Sequence, residues 1–324
     1  VGWQPVTPIC TATRRHPHGK KRAGRPRSQQ YFPIMHLGLF RHPSRPLPFT
    51  GLVLDSLAVD VSHALTTPGD VFALDASARA ALVAHAQAEA KRQSQAVLSL
   101  AEVTYLPPVP RPGKIIAVGL NYRDHAAEQG KTPPTEPVIF AKYASAITAH
   151  NAPIVLPPNS REVDYEAELA VIIGKTARCV PREAAYDYVG GYTILNDVSA
   201  RDMQRQDKQF TRAKSCDTFA PMGPWLVTPD DIPNPHALDI CLTRNGEVMQ
   251  ASNTREMIFD IPYLIWFLSQ SMTLEPGDVI STGTPGGVGV FRQPPVFLQP
   301  GDDIAITIER IGTLRNYVVA SAAA

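Results

Sequence analysis

Between Lys114 and Val319 apolar residues come in short runs broken by glycine, proline, asparagine and acidic residues: KIIAVGL, PVIFAKY, DYEAELAVIIGK, GYTILND, PWLVT, ALDICLT, GDVISTG and DDIAITIERIG. Runs of that length, bounded by turn formers, predict strands. Asn245 and Gly246 after ALDICLT mark a hairpin. Two stretches change to a helical pattern, one after Ser199, which reads as its N-cap, and one over FDIPYLIWFLSQSM. Strands at irregular spacing with few helices between them argue against a doubly wound parallel sheet and for an α+β, mainly β fold.

Upstream, GLVLDSLAVDVS reads as short strands, and ARAALVAHAQAEAKRQ as a helix entered near Asp75 or Ser77. The proline-rich YLPPVPRPG reads as a linker. The expected organisation is therefore a small N-terminal α/β domain over 35–106 and a larger domain over 112–319. Residues 1–34 show neither helical nor strand periodicity and are expected to be a disordered basic extension ahead of Met35.

Within VDYEAELAVIIG, Asp164, Glu166 and Glu168 fall at every second position. On a strand they share one face, while Val163, Tyr165, Ala167, Leu169 and Val171 take the other. Like charges stacked in this way raise one another's pKa and cost stability unless a cation sits between them. Acidic alternation also occurs on solvated strand faces, so Glu166 and Glu168 do not define a site by themselves. GYTILNDVSARDMQ adds to them: its strand ends in Asn196 and Asp197, and a helix carrying Arg201, Asp202 and Gln204 follows. Asp197 is either a turn acid or a third ligand. Three carboxylates without His or Cys in the same segments suit a hard cation, Mg²⁺ first, then Mn²⁺ or Ca²⁺.

GLNYRDHAAEQGK places His125 and Glu128 three apart, so on a helix the carboxylate can orient the imidazole and raise its basicity. A surface helix carries such a pair without function, but here it directly follows a strand, where loop-borne sites are built. The flanking EQGKTPPTEP reads as mobile, which places the pair on a lid. RAKSCDTFAPMGPW supplies Lys214. STGTPGGVG supplies Thr282, Thr284 and glycines whose N–H groups can cradle an anion, without the closing GK[ST] of a Walker loop.

Taken in order, NYRDHAAE, DYEAELAVIIGK, GYTILNDVSARDMQ, AKSCDTFAPMGPW and STGTPGGVG resemble the fumarylacetoacetate hydrolase family, over Pro112 to Val319. The resemblance implies a mixed β-sandwich roll preceded by a small N-terminal domain, a homodimer, and a small-molecule 2-oxo acid as substrate. It implies Glu166, Glu168 and Asp197 as metal ligands, and His125 and Glu128 as the catalytic dyad, with Lys214 alongside. Lys142, Arg201, Gln204 and Thr284 are implied as substrate-binding groups. Two positions depart from the family pattern, Tyr143 for the proline of Phe-x-Lys-Pro and Cys216 for the phenylalanine of KSFDTF, and both bear on pocket shape. The first expectation is Mg-dependent hydrolysis of a carbon–carbon bond in a 2,4-dioxo acid through a metal-stabilised enolate, with His125 activating water. The same metal site serves an isomerase or tautomerase, a hydratase or a decarboxylase of a 2-oxo dioate, and a pure tautomerase needs no water.

With 324 residues, 44% of them hydrophobic, the chain can bury a large core. Its net charge of +1 is uneven: Arg14, Arg15, Lys20, Lys21, Arg22, Arg25 and Arg27 stand in residues 1–34 without an acid, leaving 24 basic against 30 acidic residues, about −6, in the rest. A negative body is a poor partner for a phosphate backbone, so no nucleic-acid partner is expected. A non-catalytic, metal-stabilised binding protein with a basic arm is the distant rival. No apolar run approaches the roughly 18 to 20 residues of a membrane-spanning helix, so no membrane partner is expected. Cys10, Cys179, Cys216 and Cys241 form no CxxC pair, which points away from disulfides and thiolate zinc and towards a cytoplasmic location.

Overall fold

The structure is a computed structural model that describes residues 35–321; the basic extension expected over 1–34 lies outside the described residues. Strands form where the apolar runs mark them, at Ile115–Gly119, Val138–Lys142, Ala167–Ile173, Val189–Asn196, Ala220–Val227, Asp239–Arg244, Val279–Ser281 and Asp303–Ile308. Asn245 and Gly246 take φ of 53° and 82°, the left-handed pair that a two-residue hairpin needs, and join Asp239–Arg244 to Glu247–Asn253.

Among the described residues the strands make two large sheets, one of twelve strands and one of five. The smaller runs in the order Glu247–Asn253, Asp239–Arg244, Asp303–Ile308, Gly312–Ala320, Pro153–Leu156. Pairing is mostly antiparallel. Exceptions are Val279–Ser281 beside Ile115–Gly119, Ala220–Val227 beside Ile147–Thr148, and Gly312–Ala320 beside Pro153–Leu156, which run parallel. The sheets share one core, in which Leu169, Val171 and Ile194 of the larger join Leu242, Ile304, Ile306 and Leu314 of the smaller. The fold is thus the mainly β, mixed-sheet α+β roll that was expected.

Ala167–Ile173 is buried along its whole length. Leu169, Val171 and Ile173 point to the shared core, and Ala170 and Ile172 to a second core with Leu37, Leu52, Val59, Leu82 and Val83. Covering both faces is why AELAVII stops alternating: after Glu168 no wet face remains for a polar residue.

Residues 35–106 supply the cover on that second face. His36–Arg41, Phe49–Leu54, Leu57–Asp60 and Val97–Ser99 form a meander, and His36 and Leu37 pair with Val227 and Leu226 of Ala220–Val227. The helix Ala76–Arg92 starts at Asp75, whose side chain accepts from Ala78 N at 2.8 Å. The proline-rich stretch therefore marks a change of composition within one continuous sheet. Ser199 does not cap the next helix, as the sequence suggested. Its backbone pairs with Asp164 in a two-residue ladder, its Oγ donates to Asp197 O at 2.9 Å, and the helix Arg201–Gln206 begins without a side-chain cap.

His150 illustrates what the packing costs in acid. It accepts from Arg315 N at 3.0 Å and meets the edge of the Tyr105 ring, centroids 4.5 Å apart. Burial, aided by Arg315, pulls its pKa down to about 4. The folded state therefore holds a neutral ring that the unfolded chain protonates near pH 6.5, and stability present above that value is lost as pH falls towards 4. His150→Gln is expected to flatten this part of the pH profile, measured as the denaturation midpoint between pH 7 and 4.

Candidate active site

Neighbouring strands bring the acids together. Glu168 lies on Ala167–Ile173, and Asp197 follows the end of Val189–Asn196, whose Asn196 pairs with Ala167. Asp197 N donates to Glu166 O at 2.9 Å, closing the gap between the two segments. One oxygen from each of Glu166, Glu168 and Asp197 lies within 4.8 Å of the others, and all three residues are buried. Asp164 keeps the same alternation but turns elsewhere, accepting from Arg201 Nε at 2.9 Å, Gly289 N at 2.8 Å and Val290 N at 3.0 Å.

Three cations are built against these acids. Arg201 Nη2 lies 2.6 Å from Glu166 Oε1; Lys214 Nζ lies 2.7 Å from Glu166 Oε2 and 2.7 Å from Asp197 Oδ2. Lys142 Nζ lies 2.6 Å from Asp197 Oδ1 and also donates to Lys214 O. Glu168 touches none of them: it accepts from Ser281 Oγ at 2.5 Å and Gly283 N at 2.9 Å. Counting Asp164, which shares Arg201, four carboxylates stand against three cations, so full ionisation would leave this buried network one positive charge short. The imbalance shows in the pKa values. Burial, then Asp197 and Glu166, hold the Glu168 carboxyl well above the usual carboxylate range. For Glu166 burial acts in the same direction, but Lys214 and Arg201 overcome it and bring the group to about 2. Burial also opposes charge on Lys214, where Asp197 and Glu166 win and raise its pKa, and on Lys142, where burial wins and lowers it. A missing charge beside Glu168 and an all-oxygen donor set fit a hard divalent cation held by Glu166, Glu168 and Asp197.

The His–Glu pair is brought up from another side. Leu120, at φ 54°, turns the chain out of Ile115–Gly119. Asn121, fully buried, donates to Phe259 O at 3.0 Å and Thr282 O at 2.7 Å and accepts from Phe259 N at 2.8 Å. The helix Arg123–Glu128 follows. His125 Nδ1 lies 2.7 Å from Glu128 Oε1, and Gln129 Nε2 lies 2.8 Å from His125 Nε2. The network assigns the proton to Nδ1, donated to the carboxylate, and the lone pair to Nε2, where it receives the Gln129 amide.

The glycine loop serves the protein's own carboxylates. Besides Gly283 N on Glu168 and Gly289 N on Asp164, Gly287 N donates to Glu128 Oε2 at 2.6 Å and Gly286 N to Asp124 Oδ1 at 3.3 Å. Ser252 Oγ donates to Asp124 Oδ2 at 2.5 Å. Gly287 sits at φ 99°, and a Cβ there would stand 2.3 Å from Met249 O, so only glycine brings its amide to Glu128. In this structure the helix expected to be a lid is docked on that loop.

A cavity of about 370 Å³ joins these parts, and His125, Glu166, Glu168, Arg201, Gln204, Lys214 and Thr284 all line it. Lys142 stands behind Asp197, outside the lining. Thr284 Oγ1 is already committed, donating to Ala167 O at 3.0 Å and accepting from Gln250 Nε2 at 2.9 Å. Gln204 Oε1 accepts from Arg201 Nη1 at 3.0 Å, which leaves the Gln204 N–H groups uncommitted among the described residues. Phe140, Phe210 and Phe291 give an apolar wall. Neither departure from the family pattern enters the lining: Tyr143 is 60% exposed, and Cys216 packs against the main core. Sequence reasoning missed Ser281, which opens the glycine segment, and Gln129, whose i+4 spacing from His125 is the signal that could have found it.

Three buried carboxylates able to hold a cation and a His–Glu pair beside one cavity of a β-roll are the arrangement of an enzyme. The chain belongs to the fumarylacetoacetate hydrolase family, residues 114–319 matching its "Fumarylacetoacetate (FAA) hydrolase C-terminal" domain. A Bos taurus protein described as oxaloacetate tautomerase FAHD2A, mitochondrial, is 53% identical over 225 residues, 69% of this chain and 72% of the relative. The fumarylacetoacetate hydrolase of Exiguobacterium antarcticum superposes with a TM-score of 0.74 at 35% identity, covering 88% of this chain and 99% of that one. Maleylpyruvate hydrolase from Sphingobium sp. SYK-6, solved with manganese(II) and pyruvate, gives 0.72 at 34% identity, covering 89% and 100%. The cytoplasmic expectation gains nothing from the bovine relative, described as mitochondrial. Among the described residues no helix is long and apolar enough to cross a membrane.

Proposed function

We propose that this chain catalyses keto–enol tautomerisation of a 2-oxo dicarboxylic acid of the oxaloacetate type, with Mg²⁺ or Mn²⁺ held by Glu166, Glu168 and Asp197. The observation that carries this reading is the 53% identity to a bovine oxaloacetate tautomerase over more than two thirds of both proteins. Site chemistry supports it, because moving a proton between carbon and oxygen asks for a single base, and one histidine lines the cavity.

A divalent cation, when bound, supplies positive charge to the 2-oxo oxygen and the adjacent carboxylate. Once Gln129 withdraws, His125 Nε2 takes a proton from the carbon next to the 2-oxo group and returns it to oxygen, so no water is consumed. Glu128 holds Nδ1–H and stabilises the imidazolium formed between the two transfers. The free N–H groups of Gln204 reach substrate oxygens. Arg201 and Lys214 keep Glu166 and Asp197 in place while lining the same space, and Lys142 braces Asp197 from behind.

Carbon–carbon hydrolysis, the first expectation from the sequence, is the second reading. The 34% identity to a maleylpyruvate hydrolase favours it, and His125 would then take its proton from water. The two are separated by incubating the full chain and Mg²⁺ with oxaloacetate, acylpyruvates and unsaturated 2-oxo dioates, following enol absorbance and pyruvate release. Faster enol–keto exchange of oxaloacetate, with no carboxylic acid freed from acylpyruvates, is the expected result. Rapid release of pyruvate from an acylpyruvate, without exchange, would overturn it.

A further inference from the structure

We infer that Lys131 recognises the second carboxylate of the substrate and makes the site selective for 2-oxo dicarboxylates over 2-oxo monocarboxylates. The inference rests on the proposed tautomerase reading for its choice of cavity. Four lysine and arginine side chains line that cavity: Lys131, Arg201, Arg205 and Lys214. Three are committed. Arg201 pairs with Asp164 and Glu166, Lys214 with Glu166 and Asp197, and Arg205 Nη2 lies 2.7 Å from both oxygens of Glu162. The Lys131 ammonium makes no hydrogen bond or ion pair among the described residues.

A lone lysine on open surface is solvated and says nothing about ligands. This one is exposed, but it lines the same half-open cavity as His125 and a cluster of acids whose own cations are occupied, so its charge is the one left there for an anion away from that cluster. Its backbone is pinned as well. Gly130, at φ 61°, closes the helix Arg123–Glu128, and Lys131 N donates to Ala126 O at 3.0 Å. The base therefore sits on the helix and the uncommitted cation just past its C-terminal turn. A four-carbon 2-oxo dicarboxylate with its 2-oxo acid end at the acid cluster and its far carboxylate on Lys131 presents the carbon between them to His125. Phe140 and Phe291 line the same space and offer that far carboxylate no alternative partner.

The test compares Lys131→Met and Lys131→Arg with the parent as full-length, Mg²⁺-loaded proteins. Calorimetric binding of malate and of lactate reads the second carboxylate alone, and kinetics with oxaloacetate separate KM from kcat. For Lys131→Met, malate binding and the KM for oxaloacetate are expected to weaken by about tenfold, with lactate binding and kcat changed by less than about twofold. Lys131→Arg is expected to restore most of the loss. Equal losses for malate and lactate, or none for either, would overturn the assignment. If the parent tautomerises nothing while malate binding still depends on Lys131, the activity reading fails and the carboxylate site stands. If tautomerisation proceeds and Lys131→Met binds malate like the parent, the Lys131 inference alone is lost.

Discussion

Glu168→Gln is expected to give a protein that, without metal, melts no lower than the parent, yet has lost Mg²⁺ binding and turnover. An amide oxygen can still accept from Ser281 Oγ and Gly283 N, and its N–H groups now face Glu166 and Asp197 as donors, so repulsion becomes attraction. The loss of a ligand should exceed the ~10–100-fold drop in metal affinity that follows removal of an outer partner. The pH dependence has a defined sign. Because the folded pKa of Glu168 is raised, the metal-free parent loses stability as pH rises above the ordinary carboxylate range, and the variant does not. Asp197→Ala makes the useful contrast: it strands the buried Lys142 ammonium without its carboxylate and should cost about 3–5 kcal/mol of stability. Thermal melts at pH 6 and 8, with and without Mg²⁺, check both. A parent whose melting temperature ignores the cation at either pH would sink the metal assignment.

His125→Ala is expected to lower kcat for tautomerisation by at least roughly 100-fold, the usual scale for losing a general base, with Mg²⁺ affinity nearly unchanged. The metal site shares no side-chain hydrogen bond with the imidazole, whose partners are Glu128 and Gln129. Steady-state kinetics beside a metal titration give both numbers. Undiminished exchange in the variant would mean that the pair is a structural clasp between the helix and the glycine loop.

Much of this site could be read from spacing. Alternation put Glu166 and Glu168 on one side, the strand end offered Asp197, and a three-residue step paired His125 with Glu128. What spacing cannot supply is long-range partnership. Asp164 obeys the same alternation as its neighbours, but the ladder with Ser199–Ala200 and the amides of Gly289 and Val290 draw it to Arg201 and away from the cluster. Lys142 reads as a pocket residue, and only the packing of Val138–Lys142 against Ile115–Gly119 and of Lys142 Nζ against Asp197 shows it behind the site. The glycine loop looked ready for a ligand's anion because its sequence cannot say that the chain's own Glu128 and Glu168 arrive there first.

Without residues 35–106 the end of Ala220–Val227 would lose its partner His36–Arg41, and Ile172, Leu195, Met222 and Leu226 would be uncovered together. The catalytic segment would then carry a bare sheet edge next to an apolar face, the arrangement that recruits strands from other molecules. Residues 35–106 contribute no side chain to the cavity; what they supply is the cover over that edge and face.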